Sequence, residues 1–181
     1  MIGLFDREFI EPQETLGIKV IGQFRDVDRP DRFVWLRGFP DITSRAKALS
    51  DFYTGPVWKA HREAANAPMI DSDNVPLLRP ALPISGFSQE NMKGSPLRSD
   101  EVPMSLVLAT IYYFECPVAP VFTNFFEHTL KPGEASLGAT VSAYFVTANS
   151  ESTFPALPVR GARMFLSGSR TFRIRRPTKI T

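Results

Sequence analysis

The sequence holds one cysteine, Cys116, and two histidines, His61 and His128. An internal disulfide is therefore excluded. Three such residues do not make an ordinary zinc shell without added carboxylates, so the expectation is a reducing compartment and no structural metal. Long apolar runs are also missing: VPMSLVLATIYYF, the longest uncharged stretch near an apolar peak, has 13 residues, against about 20 for a membrane-crossing helix. Asp6, Arg7 and Glu8 occupy the place where an N-terminal signal would be apolar. The expectation is a cytoplasmic protein without membrane insertion. There is no glycine-rich phosphate loop, no GxSxG elbow and no Cys-His pair supported by spacing. IDSDN at 70–74 starts like a calcium loop but lacks the glycine and the closing glutamate, and reads as a turn. No cofactor is expected.

What is there is a globular composition. The 181 residues are 43% hydrophobic and 22% charged, enough for one sizeable domain or two small units. The net charge of +2 is uneven. Arg170, Arg173, Arg175, Arg176 and Lys179 lie in the last dozen residues with no acid, and without these five the 21 basic residues fall to 16 against 19 acidic, a body of −3. That basic tail, residues 170–181, is the one segment suited to nucleic acid or anionic lipid; its ordinary reading is a solvated terminus, and no nucleic-acid partner is expected.

The chain repeats itself. LFDREFIEPQETLGIKVIGQF at 4–24 is echoed by FFEHTLKPGEASLGATVSAYF at 125–145, an offset of 121 that matches Phe5 with Phe126, Gly17 with Gly138, Val20 with Val141 and Phe24 with Phe145. In the first copy Phe5, Phe9 and Leu16 fall near one side of a helix and Gly17 supplies a left-handed cap. In the second, Phe122, Phe125, Phe126 and Leu130 recur at helical spacing, with Pro120 in the first turn and Cys116 as an inert thiol at the end of the preceding strand. Strands are expected at 18–24 and 32–39, and again at 139–147 and 163–168. Asp41 can cap a helix that turns Ile42, Ala46, Leu49, Phe52 and Tyr53 inward; Gly55-Pro56 ends it and starts another through VWKAHREAAN. A short strand follows at 74–79, and a leading strand for the second copy at 102–115. Helix, strand, strand, helix, strand is the βαββαβ arrangement without its first member, and the expectation is an α+β fold of two ferredoxin-like units. They divide as 1–80, a linker at 81–101, and 102–169.

DRPDRFVWLRGFPD, FYTGPVWKAHREAANAPMIDSDNV and FVTANSESTFPALPVRG together resemble the bacterial NIPSNAP family, over roughly residues 3–80 and 104–166. The resemblance implies a dimeric α/β-barrel, with two ferredoxin-like sheets face to face around a cavity, closed within one chain or between two. It brings no established reaction and no catalytic residues. Two departures accompany it: the first unit lacks its opening strand, and the second lacks its last helix and strand. A homodimer is expected on that account.

In a barrel of this kind a strand is apolar on both faces. Val34, Leu36 and Gly38 suit the face beneath helices, whereas Phe33, Trp35, Arg37 and Phe39 suit the cavity. A buried Arg37 needs a partner: an acid such as Glu63 or Asp71, or the anionic group of a ligand against an apolar wall of Trp35 and Phe39. Trp58 and Arg62 share a helix face beside His61, which is either a general base near neutral pH or a satisfied structural residue. His128 reads as surface. Three functions follow: a protein that binds a small apolar or anionic molecule in the cavity, a cofactor-independent oxygenase, isomerase or lyase using His61 and Arg37, or an interaction protein, since eukaryotic NIPSNAP relatives are linked to mitochondrial and vesicular roles.

Overall fold

The computed structural model describes residues 2–70, 75–87, 105–159 and 164–173. The order is α1 (Ile2–Glu8), α2 (Ile10–Thr15), β1 (Lys19–Arg25), β2 (Phe33–Gly38), α3 (Ile42–Thr54), α4 (Pro56–Asn66), β3 (Leu78–Pro80), β4 (Ser105–Phe114), α5 (Pro120–Phe125), a π-helical turn (Phe126–Leu130), α6 (Lys131–Ser136), β5 (Thr140–Thr147) and β6 (Met164–Arg173). The architecture is α+β with small antiparallel sheets. No helix among the described residues is long and apolar enough to cross a membrane.

Both copies of the repeat fold alike. Gly17 and Gly138 each have φ of 82°, a left-handed turn that a side chain would strain. Around each, two reversed bonds close the helix: Gly17 N–H to Glu14 C=O at 3.0 Å and Ile18 N–H to Gln13 C=O at 2.9 Å, then Gly138 to Ala135 at 3.0 Å and Ala139 to Glu134 at 3.1 Å. The strands that follow carry the same irregularity, between Val20 and Gly22 in β1 and between Val141 and Ala143 in β5. A proline disturbs each helix as well. Pro12 lacks the N–H that would reach Glu8, and the helix breaks at Phe9; Pro132, in the first turn of α6, stands four residues after His128 of the π-helical turn. The inward stripes are therefore Phe5, Phe9 and Gln13 in one copy and Phe122, Phe126 and Leu130 in the other. Leu16 and Phe125, assigned inward by spacing, are exposed.

The chain divides into two compact units, Met1–Val75 with Ser150–Val159, and Pro76–Asn149 with Arg160–Thr181. In the first unit β1 and β2 form a hairpin whose turn is built on Asp26, its carboxylate accepting from the N–H groups of Asp28 and Arg29 at 2.9 and 3.1 Å. Asp41 caps α3, accepting from Ser44 N–H at 2.7 Å. Phe5, Phe9, Ile18, Leu49 and Phe52 make this unit's core.

The second unit is a four-stranded sheet in the order β3-β5-β6-β4. The strand expected to close the first unit, here Leu78–Pro80, pairs with β5 and lies in this sheet instead. The reason is hydrogen bonding: β5 has an open edge, and Leu78–Pro80 fills it. Residues 81–87, expected to begin a linker, are tied to the same sheet by Ser85, whose hydroxyl donates to Tyr144 C=O at 2.8 Å, and by Phe87 against Phe145. The rest of that linker and most of the basic tail lie outside the described residues. Phe126, Tyr144 and Val146 make this unit's core.

Candidate functional site

The faces of β2 are exchanged relative to the expectation. Phe33, Trp35 and Phe39 pack against the helix-borne core, with Phe5 5.1 Å from Phe33 and 5.5 Å from Trp35 between ring centroids. Val34, on the other face, is 53% exposed. Small helix residues such as Ala48 and Ala65 leave depth between sheet and helices, and aromatic rings fill it where aliphatic side chains would leave voids.

At one end of this aromatic layer lies a recess of about 20 Å³, room for a water or two. The helix α1–α2 supplies Phe5, Phe9 and Gln13 at four-residue spacing, β2 supplies Trp35 and Arg37 at two-residue spacing, and α3 supplies Phe52 and Tyr53. Trp58 of α4 and Met69 complete the wall. The apolar part of that wall is already packed on itself: Phe9 meets Phe52 and Trp58 at 5.7 Å each, and Tyr53 meets Trp58 at 4.7 Å.

The polar end is unusual in its charge. Arg37, half-buried, donates through Nη1 to Gln13 Oε1 and to Tyr53 Oη, both at 3.4 Å, and its guanidinium stands 5.8 Å from the Trp35 ring. Gln13 is 1% exposed, and its amide nitrogen is spent on Phe9 C=O at 2.9 Å, so its oxygen is held toward Arg37. Arg45 of α3 is 4% exposed and donates to Thr153 Oγ1 at 3.1 Å. Burial pulls the Arg45 guanidinium below its ordinary value, and the Arg37 charge pulls it further. Neither arginine has a carboxylate partner among the described residues. Glu63 does not pair with Arg37, and Asp71 lies outside the described residues.

The sequence-derived candidates separate. Trp35, Arg37 and Trp58 line the recess, whereas Phe39 packs in the core beside it. His61 is on α4 with Nε2 3.6 Å from Glu8 Oε2 and its ring 6.2 Å from Phe9, outside the lining; Arg62 is exposed. Gln13, Arg45 and Tyr53 carry the polar chemistry that the sequence reading left out. Arg45 had a signal, because it stands on the stripe of Ala48, Leu49 and Phe52 that α3 buries, but an arginine at such a position reads as surface. Among the described residues no group of three metal-ligating side chains occurs.

No protein-family model matches the chain, no curated protein matches it, and no solved structure matches it.

Proposed function

We propose that this protein binds a small molecule through a doubly charged anionic head, such as a phosphate monoester or a dicarboxylate. One observation carries the reading: Arg37 lines the recess and the buried Arg45 of the same unit feels its charge, with no acid paired to either among the described residues. A desolvated cation without a counter-charge is costly, and an anion that accepts from both guanidinium groups relieves the cost through charge-assisted bonds. The recess is far too small for a large apolar body, which favours the anionic alternative, with the head group at its mouth beside Arg37.

The test is isothermal titration of the full chain with inorganic phosphate, phenyl phosphate and benzoate. Saturable binding that favours the dianions is expected, and Arg37→Gln or Arg45→Gln should weaken it about ten- to a hundredfold, the worth of a charged hydrogen bond. His61→Gln should leave it unchanged. Wild-type protein that takes up none of the three overturns the reading.

The same proposal includes membership of a NIPSNAP-like family on ferredoxin-like units. Its support is the three quoted blocks, the repeat with its matched caps and irregular strands, and the path β4, helix, β5, β6, in which β6 lies between the other two. Homodimerisation is supported by β4, which is an edge strand among the described residues and has no charge in SLVLATIYYF. Native mass spectrometry reads the subunit number directly, and a monomer at micromolar concentration rejects the dimer.

A further inference from the structure

The segment Ser150–Val159 leaves β5 and returns to the first unit, where it belongs by its contacts. It is fastened at the residues that make the anion site. Thr153 Oγ1 accepts from Arg45 Nη1 at 3.1 Å. One residue on, the Phe154 ring stacks on Tyr53 with centroids 5.4 Å apart and planes 22° from parallel, and Tyr53 is the residue whose hydroxyl accepts from Arg37. The segment holds its own shape through a turn, Leu157 N–H to Phe154 C=O at 3.0 Å, and its far end makes a single parallel bridge, Val159 to Val75. No ion pair fastens it among the described residues.

The chemistry of these contacts is uneven. Arg45 is buried and charged, while the oxygen it holds belongs to an exposed, neutral threonine. The Arg45–Thr153 bond is charged on the donor side alone, whereas an anionic oxygen would be charged on both sides and meet the guanidinium's charge. Thr153 therefore stands where an anionic oxygen would be preferred.

We infer that Ser150–Val159 is a strap that competes with the ligand of this site: Thr153 occupies Arg45 and Phe154 covers Tyr53 until a dianionic group displaces them. This rests on the anion-binding reading of Arg37 and Arg45. The strapped form binds the anion weakly, so the apparent affinity is the intrinsic one reduced by the fraction of molecules with the strap released. Thr153 and the ligand compete for one guanidinium, that of Arg45, and Phe154 holds the neighbouring Tyr53 at the same time.

The protein carries its own probe, because its two tryptophans, Trp35 and Trp58, both line the recess. Tryptophan emission of the full chain is followed during titration with inorganic phosphate at constant ionic strength, in wild type, Phe154→Leu and Thr153→Val. Hydrogen exchange of residues 150–159 is measured with and without phosphate. Phe154→Leu keeps an apolar side chain and removes the stacked ring, and should tighten phosphate binding about three- to tenfold, the population change that loss of one aromatic pair allows. Thr153→Val should tighten it about tenfold, on the order of one hydrogen bond to a charged group, and Thr153→Ser should restore the wild-type constant. Phosphate should speed exchange in the strap. Equal constants in all variants with unchanged exchange overturn the strap while leaving the anion site standing, provided that Arg37→Gln still weakens the response. A wild type and variants that are all silent to phosphate overturn both.

Discussion

Arg45 is where the energetics of the first unit are least comfortable. Its guanidinium is buried, makes one bond to a neutral oxygen, and feels the positive charge of Arg37. Replacing it by a flexible apolar side chain of similar length removes a desolvation cost and loses only that bond. Arg45→Met should therefore raise the stability of the anion-free protein by about 1–2 kcal/mol, measured by urea denaturation. The gain should shrink in phosphate, because the anion stabilises wild type alone. A variant less stable than wild type in both buffers would mean that Arg45 is a satisfied structural residue. His61 stands apart from these charges, with Nε2 3.6 Å from Glu8 Oε2 and its ring edge-on to Phe9.

At the scale of elements the repeat makes a paired prediction. Gly17 and Gly138 share a φ of 82°, and at neither does a neighbouring atom lie within 4 Å of where a Cβ would stand. The cost of a side chain there is backbone strain rather than a clash, so Gly17→Ala and Gly138→Ala should each destabilise by about 1 kcal/mol, and by similar amounts. Denaturation of the two variants checks both the size and the equality. Proline acts at this scale too: one falls in each copy a turn or less beyond the helix irregularity, and the π-helical turn at Phe126–Leu130 is how the second helix continues past Pro132.

For the whole molecule, two cores imply two sets of conditions for stability. The second unit joins helix to sheet through a polar cluster: Tyr144 donates its phenolic proton to Glu127, and Lys131 donates to the same carboxylate at 2.8 and 3.0 Å. The Lys131 bond, and then the Tyr144 bond, hold the Glu127 carboxyl below its ordinary value of 4.5. A carboxyl shifted down contributes stability in full above its unfolded value, lost as pH falls through the folded one. Burial, with the Glu127 carboxylate beside it, pushes the Tyr144 phenol above its ordinary 10.0. A group shifted up contributes stability in full below its unfolded value, lost as pH rises above it. The second unit should thus lose protection from hydrogen exchange below about pH 4.5 and above about pH 10, and Glu127→Gln should flatten the acid side. An acid limb unchanged in that variant would remove Glu127 as its source.

Much of the fold could be read locally because its causes are local. Gly17 and Gly138, Asp41 and the Gly55-Pro56 break act within a few residues of themselves, so the helix ends and the caps followed from the letters. The repeat was legible for the same reason. Which face of β2 meets the helices was not, since Phe33-Trp35-Arg37-Phe39 and Val34-Leu36-Gly38 are both compatible with burial; the depth between the layers chose the aromatic one. Nor was the partner of Leu78–Pro80, because a strand's hydrogen bonds are satisfied by whichever edge reaches it, and that edge, β5, comes more than fifty residues later. Of the candidate site, the sequence by itself determined Trp35, Arg37 and Trp58. Tertiary structure alone added Gln13, Arg45, Tyr53 and Thr153, drawn from two helices and a distant loop, because side chains far apart in sequence meet only when folding brings them together away from water.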